Sequence, residues 1–241
     1  TLTAAGANTL NISGGQAMTI TAANTVSETI NAGTATGAIT VTSNNANATT
    51  ITTNSGADSV TLTGGAAVTE TVSTGAGNDT VTFTASLDDV DVLNGGDGTD
   101  TLAGIGADLR ALTATVGSTD NISGFETIRV TNALGGDLTT TNVQASGIST
   151  VRLDGAAAAR TITMESGAMT LDMRAAAGGD VTVNDTGSAT TDTLAVTNNA
   201  AATNIFAGNA LTVGGYETVA FTSTGSGAAT AQTFSTISVT A

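Results

Sequence analysis

The sequence predicts an all-β fold, a parallel β-solenoid (a β-roll or β-helix) with about 21 residues and two strands per coil. Asp58, Asp79 and Asp100 stand in three similar loops and are 21 residues apart. A fixed period of this kind is typical of stacked coils. Apolar residues recur at about half that interval: Leu10, Ile20, Ile30, Val41, Ile51, Leu62, Val72, Phe83 and Leu93.

The strands themselves are indicated by short alternating segments such as Thr40-Val41-Thr42 and Thr82-Phe83-Thr84. Alternation with period two places the apolar residue on one side of a strand and the threonines on the other. We therefore expect a flattened solenoid with two walls and a thin aliphatic core between them.

One elongated domain is expected, in three stretches. Residues 1–103 form a regular solenoid, 104–121 an irregular excursion, and 122–241 a less regular continuation of the same solenoid. The segment from Asp108 to Leu112 predicts a short helix or a loop excursion near 104–120. Because no leader precedes Thr1, we expect the chain to be an excerpt of a longer protein.

The three loops are copies of the pattern G-G-x-G-x-D-x-U-x, in which U is a large apolar residue. The clearest copies are Gly75-Ala76-Gly77-Asn78-Asp79-Thr80-Val81 and Gly95-Gly96-Asp97-Gly98-Thr99-Asp100-Thr101-Leu102. The first copy has Thr53 and Asn54 where two glycines belong, which makes the Asp58 loop the weakest match.

The common register of the aspartates predicts a calcium site. Carboxylates stacked about 4.8 Å apart repel by roughly 3–4 kcal/mol near a protein surface. A divalent ion between the coils reverses the sign of that interaction, and Ca²⁺ accepts six to eight oxygen ligands. The alternative is that glycine and aspartate are only good turn residues, which explains each loop singly but not their shared register.

The amino-acid composition excludes some classes of function. The chain has 241 residues, a formal net charge of −15, and no Pro, Cys, His or Trp. Without a basic patch it cannot neutralise nucleic-acid phosphates, so nucleic acid is excluded as a partner. The sequence has no apolar run of about 18 residues, so it predicts no membrane-inserted helix. The acidic balance suits an extracellular protein that binds cations.

The order of these motifs, followed by Ser123-Gly124-Phe125-Glu126-Thr127-Ile128-Arg129-Val130, resembles RTX-type surface-layer proteins of alphaproteobacteria. The resemblance is sharpest over residues 54–131. It implies a secreted, cell-surface protein that is exported by type I secretion and self-assembles into a lattice with calcium. It also implies a link to cell-surface polysaccharide through regions outside this chain.

By position, the resemblance assigns Asp58, Asp79 and Asp100 as carboxylate ligands of Ca²⁺. The remaining candidate metal ligands lie in the same loops: Gly56, Gly75, Gly77, Asn78, Gly96, Asp97 and Gly98. Asp137 and Asp180 follow paired glycines but lack the glycine at the fourth position, which leaves them as weaker candidates.

Other functions remain open on the sequence. An RTX adhesin stalk shares these motifs. Threonine ladders are typical of ice-binding or surface-binding β-solenoids, although threonine also stacks well on any sheet face; here they would comprise Thr19, Thr21, Thr40, Thr42, Thr61, Thr63, Thr82 and Thr84. A polysaccharide-cleaving enzyme would need paired carboxylates in a cleft, and the cluster of Asp88, Asp89 and Asp91 with Arg110 is the best candidate. We predict that the protein is not an enzyme.

Overall fold

A computed structural model describes residues 2–4, 8–22, 26–64, 68–84, 87–112, 121–140, 147–200, 204–224 and 231–240. The chain is almost all β-structure with one short helix, and its parallel strands form a β-solenoid of about 9 turns with about 21 residues per turn. The predicted fold class is confirmed. No helix in the described ranges is long and apolar enough to cross a membrane.

The chain separates into two compact units. Unit 1 contains Thr1–Gly104, Thr115–Thr127 and Gln144–Gly147, and unit 2 contains Ile105–Ala114, Ile128–Val143 and Ile148–Ala241. The boundaries predicted from the sequence, at 103 and 122, remain a prediction.

Unit 1 has two parallel walls whose strands alternate along the chain, so that each coil contributes one strand to each wall. The first wall contains β1 (Leu2–Ala4), β3 (Met18–Ala22), β5 (Ile39–Ser43), β7 (Ser59–Leu62), β10 (Thr80–Phe83) and β13 (Thr101–Gly104). The second contains β2 (Thr9–Gly14), β4 (Glu28–Ala35), β6 (Thr49–Thr52), β8 (Glu70–Ser73), β11 (Val92–Asn94) and β14 (Ile122–Ser123). A third, short ladder joins β9 (Ala76–Gly77) to β12 (Asp97–Gly98) in the glycine-rich loops.

The core of unit 1 is a pair of aliphatic columns, one from each wall. The first wall contributes residues that are completely buried and stand one above another: Ile20, Val41, Val60, Val81 and Leu102. The second wall contributes Ile30, Ile51, Val72 and Leu93, which are equally buried. Stacking similar aliphatic shapes fills most of the thin core, and the buried side chains of Phe83 and Phe125 add to it.

The register departs from a strict 21-residue repeat at several coils of unit 1, and one of these departures, between β5 and β7, affects the threonine ladders. Thr40 lies opposite Ser59 and Thr42 opposite Thr61, because the coil between β5 and β7 is 19 residues long at the start of the strand. The expected threonine ladders, with Thr40 above Thr61, are therefore wrong at this step. An even change in length keeps every side chain on its original face, which is why the core tolerates it.

Unit 2 is also built from two parallel walls with alternating strands. The first wall contains β15 (Thr127–Val130), β17 (Thr150–Leu153), β19 (Ala168–Met173), β21 (Thr193–Asn198) and β23 (Thr218–Ser223). The second contains β16 (Leu138–Thr139), β18 (Arg160–Met164), β20 (Val181–Asp185), β22 (Leu211–Gly214) and β24 (Ile237–Thr240). Its coils vary in length. The Asp137 carboxylate accepts a hydrogen bond from the amide of Thr161, which is 24 residues later, whereas the Asp180 carboxylate accepts one from the amide of Ala210, which is 30 residues later.

The predicted excursion contains a helix, α1 (Gly106–Leu112). The Asn132 side chain caps it, because Oδ1 accepts a hydrogen bond of 2.8 Å from the Gly106 amide at its first turn. Leu109 and Leu112 are buried, so the helix adds two apolar side chains to the core of unit 2. Residues 113–120 of the predicted excursion lie outside the described residues.

Candidate calcium loops

The aspartates at the end of the three loops form one column in unit 1. Each stands directly before a strand of the first wall and accepts a hydrogen bond from the backbone of the previous coil. The Asp79 Oδ1 atom accepts from the Asp58 amide and the Asp100 Oδ1 atom from the Asp79 amide, both at 2.7 Å. Asp58 Oδ1 accepts from the Ile39 amide at the same distance. The structure therefore brings the three predicted carboxylates into register.

The other carboxylate oxygen of each aspartate has no hydrogen-bond donor. Asp58, Asp79 and Asp100 are at most 2% exposed, and the Oδ2 atom of each is buried without a partner. A buried carboxylate oxygen without a donor is costly, because the desolvation of its charge is not offset. A proton or a cation at each Oδ2 atom would remove that cost.

Burial shifts the pKa of two aspartates of the column. It raises the pKa of Asp58, an effect that the Thr53 hydroxyl and the Ile39 amide oppose. It also raises the pKa of Asp100, where the Asp79 amide acts in the opposite direction and the Asp79 and Glu126 carboxylates reinforce the shift. Without a cation, these two groups therefore favour the folded state most at low pH and lose that contribution as the pH rises above the ordinary range of aspartate.

The glycines of the loops let one coil lie directly on the next. Gly77 and Gly98 have φ angles of 144° and 146°, which side chains other than glycine rarely adopt. A Cβ atom on Gly98 would lie 1.7 Å from the Gly77 carbonyl oxygen. That carbonyl oxygen consequently points along the stacking direction, where the pattern predicts metal-binding carbonyls.

The remaining predicted ligands lie in the same loops but differ in role. Gly56, Gly75 and Gly96 also have positive φ angles. The Gly75 carbonyl accepts from the Asp97 amide at 2.8 Å, and the Asn78 Oδ1 atom accepts from the Thr99 amide at 3.0 Å. The side chains of Asn78 and Asp97 are exposed, so they stand at the rim of the loops rather than with the buried carboxylates.

The loops can offer a hard cation oxygen atoms only. In the part of the chain that the structure describes, no three acidic side chains converge closely enough to hold a metal by themselves. An ion between two coils would therefore combine an aspartate Oδ2 atom with backbone carbonyl oxygens and water, a set that suits Ca²⁺. Mg²⁺, which demands octahedral geometry at shorter distances, fits such a set less well.

Sequence reasoning missed the residue that ends the column. The Glu126 Oε2 atom accepts from the Asp100 amide at 2.7 Å, while the Glu126 and Thr127 amides donate to the Asp100 carbonyl at 3.1 and 3.0 Å. Glu126 thus takes the place that an aspartate holds in the earlier coils. The Gly-Phe-Glu-Thr segment was visible in the sequence, but its role depends on a contact 26 residues back along the chain.

A second buried acidic column stands at the opposite edge of unit 1. Glu28, Thr49 and Glu70 pair in successive strands of the second wall, and all three are buried. The Asp91 Oδ1 atom accepts a hydrogen bond from the Glu70 amide at 2.9 Å, and the two carboxyl groups affect each other's pKa. The acidic cluster considered for catalysis is thus partly structural, because Asp91 Oδ2 also accepts from the Asp88 amide.

A pH titration should reveal this second column. Burial, followed by the Asp91 carboxylate, raises the pKa of Glu70 to about 9. Glu70 then favours the folded state at acidic pH and loses that contribution between about pH 4.5 and 9. In EGTA, Glu70→Gln should melt close to the wild type at pH 4 and on the order of 10 °C above it at pH 9. If the difference in melting temperature between the variant and the wild type stayed constant across this pH range, Glu70 would be ionised throughout.

Comparisons with protein-family models, with curated proteins and with solved structures gave no match. We therefore infer the function from the geometry of this chain and from the motifs in its loops.

Proposed function

We propose that this chain is part of a structural, calcium-binding protein of the bacterial cell surface, which is exported by type I secretion and self-assembles into a lattice (S-layer). One observation carries the calcium part of the proposal. Three buried carboxylate oxygens, on Asp58, Asp79 and Asp100, recur in one register and have no donor. Turn formation alone does not require that arrangement, because a turn uses only the Oδ1 atoms.

Calcium would act by joining coils. Two inter-coil positions exist, one between the loops of Asp58 and Asp79 and one between those of Asp79 and Asp100. An ion that binds only the folded coils stabilises them by about 4 kcal/mol per site at a thousandfold excess over its Kd. In a thin core almost without aromatic residues, that contribution is large compared with the roughly 5–15 kcal/mol typical of whole domains.

Unit 2 has an apolar sheet edge at which further protein can add. β23 and β24 are the last strands of their sheets, and Phe221, Ile237 and Val239 on them are 37%, 54% and 49% exposed. Edge strands with exposed apolar residues pair readily with further protein. The expected occupant is either the rest of the same polypeptide or a lattice neighbour.

A calcium titration followed by circular dichroism tests the proposal. We expect EGTA to loosen or unfold the 54–102 region, millimolar calcium to restore the β-signal and the melting temperature, and magnesium to substitute poorly. If the circular-dichroism signal of the β-structure does not change with calcium, the loops are ordinary turns.

Electron microscopy of native cell envelopes tests the lattice separately. Two-dimensional tiling that disappears in EGTA is the expected result. Single projecting stalks would instead identify an adhesin, and a full-length protein that stays monomeric at high concentration with calcium would contradict self-assembly.

A further inference from the structure

Unit 2 repeats the structure around Asp100 and Glu126 without repeating the glycine-rich motif. The sequence Asp192-Thr193-Leu194 matches Asp100-Thr101-Leu102, and the later segment Gly215-Tyr216-Glu217-Thr218 matches Gly124-Phe125-Glu126-Thr127. No G-G-x-G pattern precedes Asp192, so the glycine-rich motif does not identify it as a ligand.

The hydrogen bonds of the two places correspond one by one. The Glu217 Oε2 atom accepts from the Asp192 amide at 2.7 Å, and the Glu217 and Thr218 amides both donate to the Asp192 carbonyl at 3.1 Å. The Asp192 Oδ1 atom accepts from the Gly167 amide at 2.7 Å. Asp192 therefore occupies the same structural position in unit 2 as Asp100 does in unit 1.

The likeness extends to the oxygen without a donor. Asp192 is 2% exposed, and its Oδ2 atom is buried with no hydrogen-bond partner. Here a second carboxylate is close by, because the adjacent residues Ser166 and Gly167 donate to Asp185 and to Asp192, respectively. The Ser166 hydroxyl lies 3.0 and 3.2 Å from the two carboxylate oxygens of Asp185.

The charge around Asp192 is negative. Asp185 and Glu217 both act on it electrostatically and, together with burial as the largest cause, raise the pKa of Asp192. The described ion pairs of arginine in unit 2 involve Asp154 and Asp172 instead. Two adjacent carboxylates, one with a buried oxygen that lacks a donor, are stabilised by a proton or a cation between them.

We propose that unit 2 holds a divalent-cation site of its own, formed by the Asp192 Oδ2 atom and the Asp185 carboxylate, with the Ser166 hydroxyl beside them. The proposal goes beyond the function proposed above, because the site lies outside the nonapeptide loops. The chain has no His or Cys, so only oxygen ligands are available and a hard cation such as Ca²⁺ is expected. The exposed residues 186–191 between the two aspartates leave room for water ligands.

The chain contains a built-in reporter for this site. Tyr216 is its single tyrosine, and tryptophan is absent. Tyr216 is completely buried, its hydroxyl donates to the Glu165 carbonyl at 3.2 Å, and burial followed by Asp185 and Asp192 raises the pKa of Tyr216. Glu165 directly precedes Ser166 and Gly167, which donate to Asp185 and Asp192, so the tyrosine hydroxyl lies close to both carboxylates. A terbium ion, which replaces Ca²⁺ at oxygen sites, emits when a nearby tyrosine is excited.

Terbium titration of the full chain, with excitation of tyrosine, tests the proposal. Wild type should show saturable emission that calcium reverses by competition and magnesium does not. Asp192→Asn and Asp185→Asn should each weaken terbium binding by more than about tenfold, since even outer-shell partners of a metal are worth roughly 10–100-fold. Asp172→Asn removes a carboxylate of the same unit that pairs with Arg174 instead, and it should leave the emission unchanged.

The asparagine variants keep the size of the side chain, and circular dichroism establishes that each is folded before it is titrated. Tyr216→Phe should abolish the emission while calorimetry still detects terbium binding that depends on Asp192. The proposal is overturned if folded wild type gives no sensitised emission, if the emission survives Tyr216→Phe, or if Asp192→Asn binds terbium as tightly as the wild type. In those cases the two carboxylates share a proton.

The two proposals fail separately. The calcium loops of unit 1 are tested by the folding response, whereas this site is tested by emission that depends on Asp192. If the folding response to calcium is absent while the Asp192-dependent emission is present, the proposal for unit 1 is wrong. If the emission is absent while the folding response is present, the proposal for unit 2 is wrong.

Discussion

Asp79→Asn should strongly destabilise the protein in calcium but not in EGTA. In millimolar calcium we expect the variant to melt far below the wild type, because Asp79 is shared by both inter-coil positions. Losing two sites of about 4 kcal/mol each would remove about 8 kcal/mol and lower the melting temperature by roughly 16–32 °C. Asp58→Asn, which touches one position, should lose about half as much.

In EGTA the same variant should be at least as stable as the wild type. The amide side chain introduced by Asp79→Asn would keep an oxygen for the Asp58 amide and would remove a buried charge between Asp58 and Asp100. Thermal melting in the two buffers, on the same protein stocks, measures both signs. A variant that is equally destabilised with and without calcium would show that Asp79 is purely structural.

Gly98→Ala should be the most damaging change among the loop glycines, and it should destabilise the protein in EGTA as well as in calcium. The new Cβ atom would lie 1.7 Å from the Gly77 carbonyl oxygen, a backbone atom that cannot move without separating the coils. Alanine is also strained at a φ angle of 146°. Strain and overpacking together should cost about 3–5 kcal/mol, which lowers the melting temperature by on the order of 10 °C.

Gly14→Ala is the matched control for that experiment. Gly14 has a φ angle of 113°, but no atom lies within 4 Å of a Cβ atom placed there. The control therefore measures backbone strain alone, and it should cost about 1–3 kcal/mol. Equal melting temperatures for the two variants would show that the close approach of the coils at Gly98 is not needed for stability.

Repetition within the sequence was enough to predict the fold class and the register of the loops. The 21-residue spacing of Asp58, Asp79 and Asp100 is a local, repeated signal, and in a solenoid each coil contacts only its neighbours. Stacking such a repeat places equivalent residues one above another. The column of carboxylates could therefore be predicted before any contact was known.

How the column is completed depends on contacts that the folded chain alone reveals. The 19-residue coil before Asp58 shifts the threonine register, and nothing in the local pattern marks where two residues are missing. Glu126 replaces an aspartate at a distance of 26 residues, across the helical excursion. Asp192 carries no glycine motif, and its likeness to Asp100 lies in hydrogen bonds rather than in the residues that precede it.

These cases share one cause, which is the variable length of the coils. Whether a side chain can cap a backbone amide of a neighbouring coil depends on where that amide lies in space. An insertion between the coils changes the number of residues that separate the two groups in the sequence, but it does not change their distance in the structure. Periodicity identifies such residues while the coils are equal in length. Where coil lengths differ, as between β20 and β22, only the folded chain shows which carboxylate meets which coil.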